Sequence, residues 1–419
     1  MAADRAAAPA ATRERPLAST RVLDLSGPFG AYAGRLLSDL GADVIRIVPP
    51  TGDPLADDPP VVATSTGPAS AFQWFVNLGK QVVELDLARP GERELCEQLF
   101  ASADVLLETW GPDPVEVGGW ERADVEARFP GLVMVSITPF GLDGPRGRDA
   151  GTDLVTLASG GLLALGGYPD TSPIAPTGGQ AMLAASIFGA VAAIFGLIAR
   201  QADGRGRRLD VSAEEAVASA LEDAIPQYDL TGRVRRRAGD VPREAGTGIF
   251  RCADGYVSMV AGRLGTAKAW RSLVEWLVEE RAPGAEVLLG DDWQSFPFRQ
   301  RPEAVAQFAQ VFGPFASGRT KAQLYEEAQR RSIALAPVNE IPDVLDNPQL
   351  AARDFFVPIH VPELGRAIQF PGRPYRLSDD PPFRPRVSAG PGPAAAALLP
   401  ESAPLRPADV PALSRPTTG

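Results

Sequence analysis

Residues 21–50 read RVLDLSGPFGAYAGRLLSDLGADVIRIVPP, and this stretch decides the fold. Arg21–Ser26 is a short apolar run that ends at the turn residues Gly27-Pro-Phe-Gly30, which is the signature of a buried strand. Ala31–Leu40 follows with Leu36, Leu37 and Leu40 at helical spacing, and Gly41 supplies the stop. Ala42–Val48 is again strand-like and is closed by Pro49-Pro50. Strand, helix and strand in succession predict a right-handed parallel crossover unit.

The pattern continues outward. Gln81–Leu87 reads as a strand, Pro90–Ala101 as a helix and Asp104–Thr109 as a strand; a helix near Glu121–Phe129 and the strand Leu132–Thr138 complete the series. This predicts an open α/β sheet whose ligands sit outside the carboxyl ends of the strands. The segments Pro49–Ala71 and Pro139–Gly151, rich in Pro, Gly and Asp, read as long site-forming loops. Asp203–Asp210 is a turn into another strand, with a helix from Ala213. Arginines 233, 235, 236 and 237 crowd a linker, and Asp254-Gly255 marks a hairpin in a smaller unit. The expected organisation is a large domain from 18 to 225, linker and small domain from 226 to 330, a return to the large domain from 331 to 387, and a flexible Pro/Ala-rich tail from 388 to 419.

Composition narrows the function. The chain has 419 residues and a formal net charge of -11, which disfavours nucleic acid and anionic membranes as partners. Two cysteines, Cys96 and Cys252, and one histidine, His360, exclude a disulfide framework and multi-histidine metal sites. No metal is expected, and a Ser-His-Asp hydrolase is disfavoured because no motif surrounds His360. Met1–Thr20 lacks the apolar core of a signal peptide. Ala181–Ala199 is uncharged and long enough to span a bilayer, yet its Ala, Gly and Ser content reads as a fully buried helix. A cytoplasmic location is expected.

Three features invite a binding role. Gly27-Pro-Phe-Gly30 opens a helix as a phosphate-cradling turn does. Lys80 is one of three lysines and stands at a strand start, as either a phosphate contact or a solvated strand edge. Gly160-Gly161, Gly166-Gly167 and Gly178-Gly179 follow Asp153 at a density that lets backbone approach a ligand.

Taken together and in order, several segments resemble the family III CoA-transferases, which include carnitine-dehydratase-like proteins and α-methylacyl-CoA racemases. They are Val22–Ser26, Leu40–Arg46, Asn77–Lys80 with Leu85–Leu87, Ala103–Glu108, Phe140–Pro145, Gly151–Asp153, Gly204–Gly206, Asp254-Gly255, Ala336–Asn339 and Asn347–Arg353. The resemblance implies a Rossmann-like large domain built from both chain ends, a smaller α+β domain, and an interlocked dimer. It implies coenzyme A or an acyl-CoA thioester as substrate, with no tightly bound cofactor and the active site near the domain interface. By position, CoA contacts fall on Phe29, Leu85, Asp86, Leu87, Trp110, Gly111, Pro112, Ala150, Gly151, Thr152 and Asp153, and the phosphate-contact reading of Lys80 adds it as a cofactor-binding candidate; Pro49 stands where the family often has a basic residue.

The family's transfer chemistry uses an aspartate that attacks the thioester and passes through an enzyme-bound CoA thioester. Here that aspartate's place falls on Met182, and a slip of up to two residues reaches only Gln180, Ala181 or Ala184. The shielding glycine loop of some members corresponds to Pro242-Arg-Glu-Ala245, and Thr152 replaces the racemases' histidine. Asp153, Glu244 and Gln180 remain as weak catalytic candidates. The expectation is a non-catalytic or regulatory subunit, in a homodimer or a heteromer with an aspartate-bearing homologue. The alternative is a stand-alone enzyme of altered chemistry (isomerase, lyase, or aspartate-independent transferase).

Overall fold

The structure, a computed structural model, describes residues 15–111, 120–240, 242–262, 267–378, 385–387 and 395–399. The described residues divide into two units: one comprises those up to Leu163, Ala175–Arg233 and those from Ala351 on; the other comprises Ala164–Ile174 and those of Val234–Leu350.

In the first unit, β1 (Arg21–Leu25), α1 (Ala31–Asp39) and β2 (Asp43–Val48) form the predicted crossover. The hairpin β3 (Val61–Thr64) and β4 (Gly67–Ser70) follows, then α2 (Ala71–Asn77); the sequence had read most of this stretch as loop. Then come β5 (Gln81–Glu84), α3 (Pro90–Ser102), β6 (Val105–Glu108), α4 (Arg122–Arg128), β7 (Val133–Thr138), α5 (Asp153–Ser159), α6 (Gln180–Asp203), β8 (Arg208–Ser212), α7 (Ala213–Ala218) and α8 (Ala224–Thr231). The sheet order is β5-β2-β1-β6-β7-β8, and every pairing is parallel.

Alternation along the strands explains the layers. Val22, Val44, Val105 and Val133 face α1 and α6, whereas Leu23, Ile45, Leu106 and Met134 face α3 and α4. α6 lies flush on the sheet because its contact face is small. A Cβ at Gly189 would stand 2.3 Å from Ile137 Cδ1, and one at Gly196 2.4 Å from Val133 Cγ1. The opposite face of α6 is not buried as expected: Ile187, Phe188, Val191, Phe195 and Ile198 are exposed. By length and composition α6 could cross a membrane; one of its faces packs on β7 and α1 and the other is exposed.

In the second unit, β9 (Thr247–Cys252), β10 (Gly255–Val260) and β11 (Ala334–Pro337) form an antiparallel sheet in the order β11-β10-β9. It packs with α9 (Ala267–Glu279), α10 (Phe296–Arg299), α11 (Pro302–Ser317) and α12 (Lys321–Arg330) around Trp270, Trp276, Phe308 and Phe312. Because β11 pairs with β10, residues 331–350 belong here and the return to the first unit falls at Ala351, later than the sequence suggested. The returning chain adds the hairpin β12 (Phe356–Val361) and β13 (Arg366–Pro371). Within the expected tail, Ala395 is buried against the α3 layer, and Arg21 Nη1 donates to Leu398 O at 2.9 Å.

Candidate active site

The order of the sheet sets the location. From β1 the chain builds outward through β2 to β5, then crosses to β6 and builds the other way through β7 to β8. The switch point lies between β1 and β6, so the ligand crevice is expected outside their carboxyl ends. There the Gly27 N–H donates to Thr109 Oγ1 at 2.7 Å, joining the β1–α1 turn to the end of β6. The turn is tight: a Cβ at Gly30 would stand 2.6 Å from the Ser26 Cβ. No side chain caps α1 and its first turn holds no acidic residue, which leaves the positive end of the helix dipole open to an anion. Phe29 is buried, and its carbonyl accepts from Ser186 Oγ of α6 at 2.7 Å.

The other expected contacts fall on neighbouring loops. Leu85 is buried and its N–H donates to Val48 O at 3.0 Å; Leu87 is partly buried. The Asp86 N–H donates to Glu92 Oε2 at 2.6 Å, and the Asp86 carboxylate accepts from the Ala88 N–H. Trp110 is buried, with its N–H on Glu108 and its carbonyl accepting from Arg122 Nη2 at 2.6 Å. Its indole Nε1 has no partner among the described residues. Gly111 is exposed, and Pro112 lies outside the described residues.

Ala150 is exposed, Gly151 packs on Pro139, and Thr152 is the N-cap of α5, its Oγ1 accepting from the Val155 N–H at 3.4 Å. Asp153 Oδ1 accepts from the N–H groups of Ala181 at 2.7 Å and Met182 at 3.0 Å. This carboxylate therefore satisfies two of the four orphan donors at the start of α6. Met182 is half-buried beside Gly179, while Gln180 is exposed and donates to Thr177 O at 2.9 Å. The structure thus gathers Asp153, Gln180 and Met182, and α6 carries no acidic residue before Asp203. Glu244 lies in the second unit, buried, with Oε1 lacking a partner among the described residues.

Lys80 needs a correction. It is neither a solvated edge nor positioned to meet a phosphate: its side chain is fully buried, and Nζ donates to Asp24 Oδ2 and Ala31 O, both at 2.7 Å. Arg46 Nη1 reaches Asp24 Oδ1 at 3.3 Å, and Arg46 forks onto Asp53 with two bonds of 2.8 Å. Burial alone would push the Asp24 carboxyl up, but Lys80 and Arg46 together hold it below the usual range. Sequence reading gave Asp24 and Arg46 no role. The missed signal was a charge in the middle of each apolar strand, which is tolerated only with a buried partner.

Against known proteins, the profile of CoA-transferase family III matches residues 17–395. The chain belongs to this family. It is 34% identical over 361 residues to the BbsE subunit of succinyl-CoA:(R)-benzylsuccinate CoA-transferase from Thauera aromatica, covering 86% of this chain and 87% of that one. It is 30% identical to the alpha subunit of succinyl-CoA–L-malate CoA-transferase from Chloroflexus aurantiacus, covering 91% and 87%. A solved CAIB/BAIF family protein from Brucella suis shares the fold with a TM-score of 0.77 at 23% identity, over 92% of this chain and 99% of that one. Proteins of this family use CoA thioesters as substrates, and the parallel-sheet architecture agrees with the assignment.

Proposed function

We propose that the chain is the non-nucleophilic subunit of a heteromeric, cytoplasmic CoA-transferase. It would bind the CoA thioester at the switch point while an aspartate-bearing homologue performs the transfer. The observation that carries this reading is the start of α6. Met182 and its neighbours offer no carboxylate, and the nearby Asp153 has one oxygen committed to the Ala181 and Met182 amides. A carboxylate nucleophile needs a free oxygen within reach of the thioester carbon, and at the position where the family carries it this chain has Met182. Subunits of heteromeric transferases among the relatives support the reading.

In this reading the open end of α1 takes a phosphate, and Phe29, Leu85–Leu87, Trp110, Gly111 and Ala150–Thr152 line the cofactor's path. Succinyl-CoA, the donor named for several relatives, is the first acyl-CoA to try. Calorimetry should show CoA binding to the purified chain with no transfer to any carboxylate in the same tube. Absence of binding would overturn the reading.

The partner surface is assigned to α6. Ile187, Phe188, Val191, Phe195 and Ile198 form one exposed apolar stripe, and Ile225, Tyr228 and Leu230 of α8 are exposed as well. Contiguous apolar surface of this kind marks an interface. Replacing both Phe188 and Phe195 by Glu should weaken association by on the order of a hundredfold or more, read by light scattering. Unchanged mass would remove α6 from the interface. The second reading, altered chemistry by this chain alone, draws on Glu244, a buried carboxylate with an unpaired oxygen. It predicts turnover that Glu244→Gln abolishes.

A further inference from the structure

The buried charges beside α1 are arranged around one object, the β1–α1 turn. Lys80 Nζ holds the carbonyl of Ala31, the first residue of α1. Asp24 Oδ1 accepts from the Ser26 N–H at 3.0 Å and from Ser26 Oγ at 2.5 Å. Arg46 Nη1 donates to the Ser26 carbonyl at 3.0 Å. Both ends of Gly27–Gly30 are therefore tied to one cluster whose Asp24, Arg46 and Lys80 side chains are 0–1% exposed. Asp53 completes it: Arg46 forks onto its carboxylate, and Asn77 Nδ2 donates to its Oδ2 at 2.9 Å. Two cations and two anions cancel. α1 rests directly on the pair, since a Cβ at Gly34 would stand 2.7 Å from Asp24 Oδ2 and 3.0 Å from Lys80 Nζ.

We propose that Asp24, Arg46 and Lys80 are positioning residues for the CoA site: they hold the Gly27–Gly30 turn and the start of α1 in binding geometry, and so set ligand affinity. A purely structural core could use apolar residues of the same volume at no loss of stability. An apolar core could not hold the Ser26 N–H, Ser26 carbonyl and Ala31 carbonyl in fixed directions. The inference rests on the CoA reading of that turn, but the hold on the turn can be measured without ligand.

Lys80 supplies a further handle. Burial pushes its ammonium down to about 8, opposed in part by Asp24. The charged groups that face it are Asp24 from β1, Arg46 from β2 and Asp53 from the loop beyond, while α1 presents a backbone carbonyl. Above about pH 8 the ammonium loses its charge and its grip on Ala31 O weakens. Arginine at this position would stay charged throughout.

The test measures CoA affinity by calorimetry at pH 7 and pH 9.5, and amide hydrogen exchange over residues 26–33 without ligand. It compares wild type, Lys80→Met, Lys80→Arg and the control Met134→Ala, near the amino end of β7. Lys80→Met should bind CoA roughly tenfold more weakly, as for one lost charged hydrogen bond, and exchange faster at 26–33. Wild-type affinity should fall from pH 7 to 9.5 while Lys80→Arg stays flat, and Met134→Ala should lose stability without losing affinity. Lys80→Met with wild-type affinity and wild-type exchange would overturn the proposal. If Lys80→Met does not fold, a Lys80→Arg pH profile parallel to wild type overturns it and a flat one supports it. If wild type binds no CoA, the cofactor reading and the affinity claim fall together. Faster exchange at 26–33 in the Lys80→Met variant would then still uphold the hold on the turn.

Discussion

Replacing Arg46 by alanine should lower the stability of the first unit by about 3–5 kcal/mol, the cost of leaving buried charge uncompensated. That is a large part of the roughly 5–15 kcal/mol that keeps a domain folded. The guanidinium is 1% exposed, forks onto Asp53, touches Asp24 and caps the Ser26 carbonyl. Its removal leaves Asp24 with Lys80 as its one cation beside the Ser26 N–H and hydroxyl, and leaves Asp53 with only the Asn77 amide and the Leu55 N–H. Burial pushes both carboxyls up, and Arg46 is the group that outweighs it for Asp53 and shares that task with Lys80 for Asp24. Both are thereby held below their unfolded value. The stability they contribute is fully present above about pH 4 and is lost as the pH falls below it. Arg207→Ala, which breaks an exposed pair with Asp203, should change stability by less than about 0.5 kcal/mol. Urea titration of both variants decides it. Equal losses would mean that the buried cluster stabilises no more than a surface ion pair.

In the proposed reading the chain alone carries out no transfer, and Met182→Asp should make it form a covalent CoA thioester. The substitution puts a carboxyl on the first turn of α6, next to Asp153, whose Oδ1 already accepts the Met182 N–H. Two neighbouring carboxylates raise the affinity of one for a proton, so the gain should strengthen from pH 6 to pH 8. Removing a nucleophile outright can cost on the order of a millionfold in kcat, so even a poorly placed one should stand clear of the background. Met182→Asn, with the same shape and no nucleophile, is the control. Thioester on both variants, or on neither despite intact CoA binding, would show that this position does not decide the chemistry.

The strands were legible because parallel strands buried on both faces are written as runs such as Val-Leu-Asp-Leu and Val-Ile-Arg-Ile, punctuated by Gly and Pro. The order of the strands, and with it the switch point, came from the structure. Long-range polar partners were not legible. Lys80 and Asp24 are 56 residues apart, and Asp153 and Ala181 are 28 apart; nothing in local pattern joins such pairs. Lys80 consequently read as a phosphate contact or a solvated strand edge, and Asp153 as a CoA contact and a weak catalytic candidate. The exposed face of α6 was hidden for a different reason. Gly189, Gly196 and the alanines mark the packed side, but large apolar residues on the other side look like core until the layers are counted. Residues 331–350 went to the wrong unit because a four-residue strand does not announce its neighbour, and β11 joins β10 from 74 residues downstream of its paired partner (Val260 with Ala334).

The central claim is that this family III chain holds the thioester without attacking it. The direct measurement incubates the purified protein alone with succinyl-CoA and a panel of free carboxylates, followed by mass spectrometry of the acyl-CoA products and of the intact chain. The account predicts bound acyl-CoA, no new thioester and no covalent CoA on the protein. Transfer at ordinary enzymatic rates, or CoA linked to a carboxylate of this chain, would contradict it.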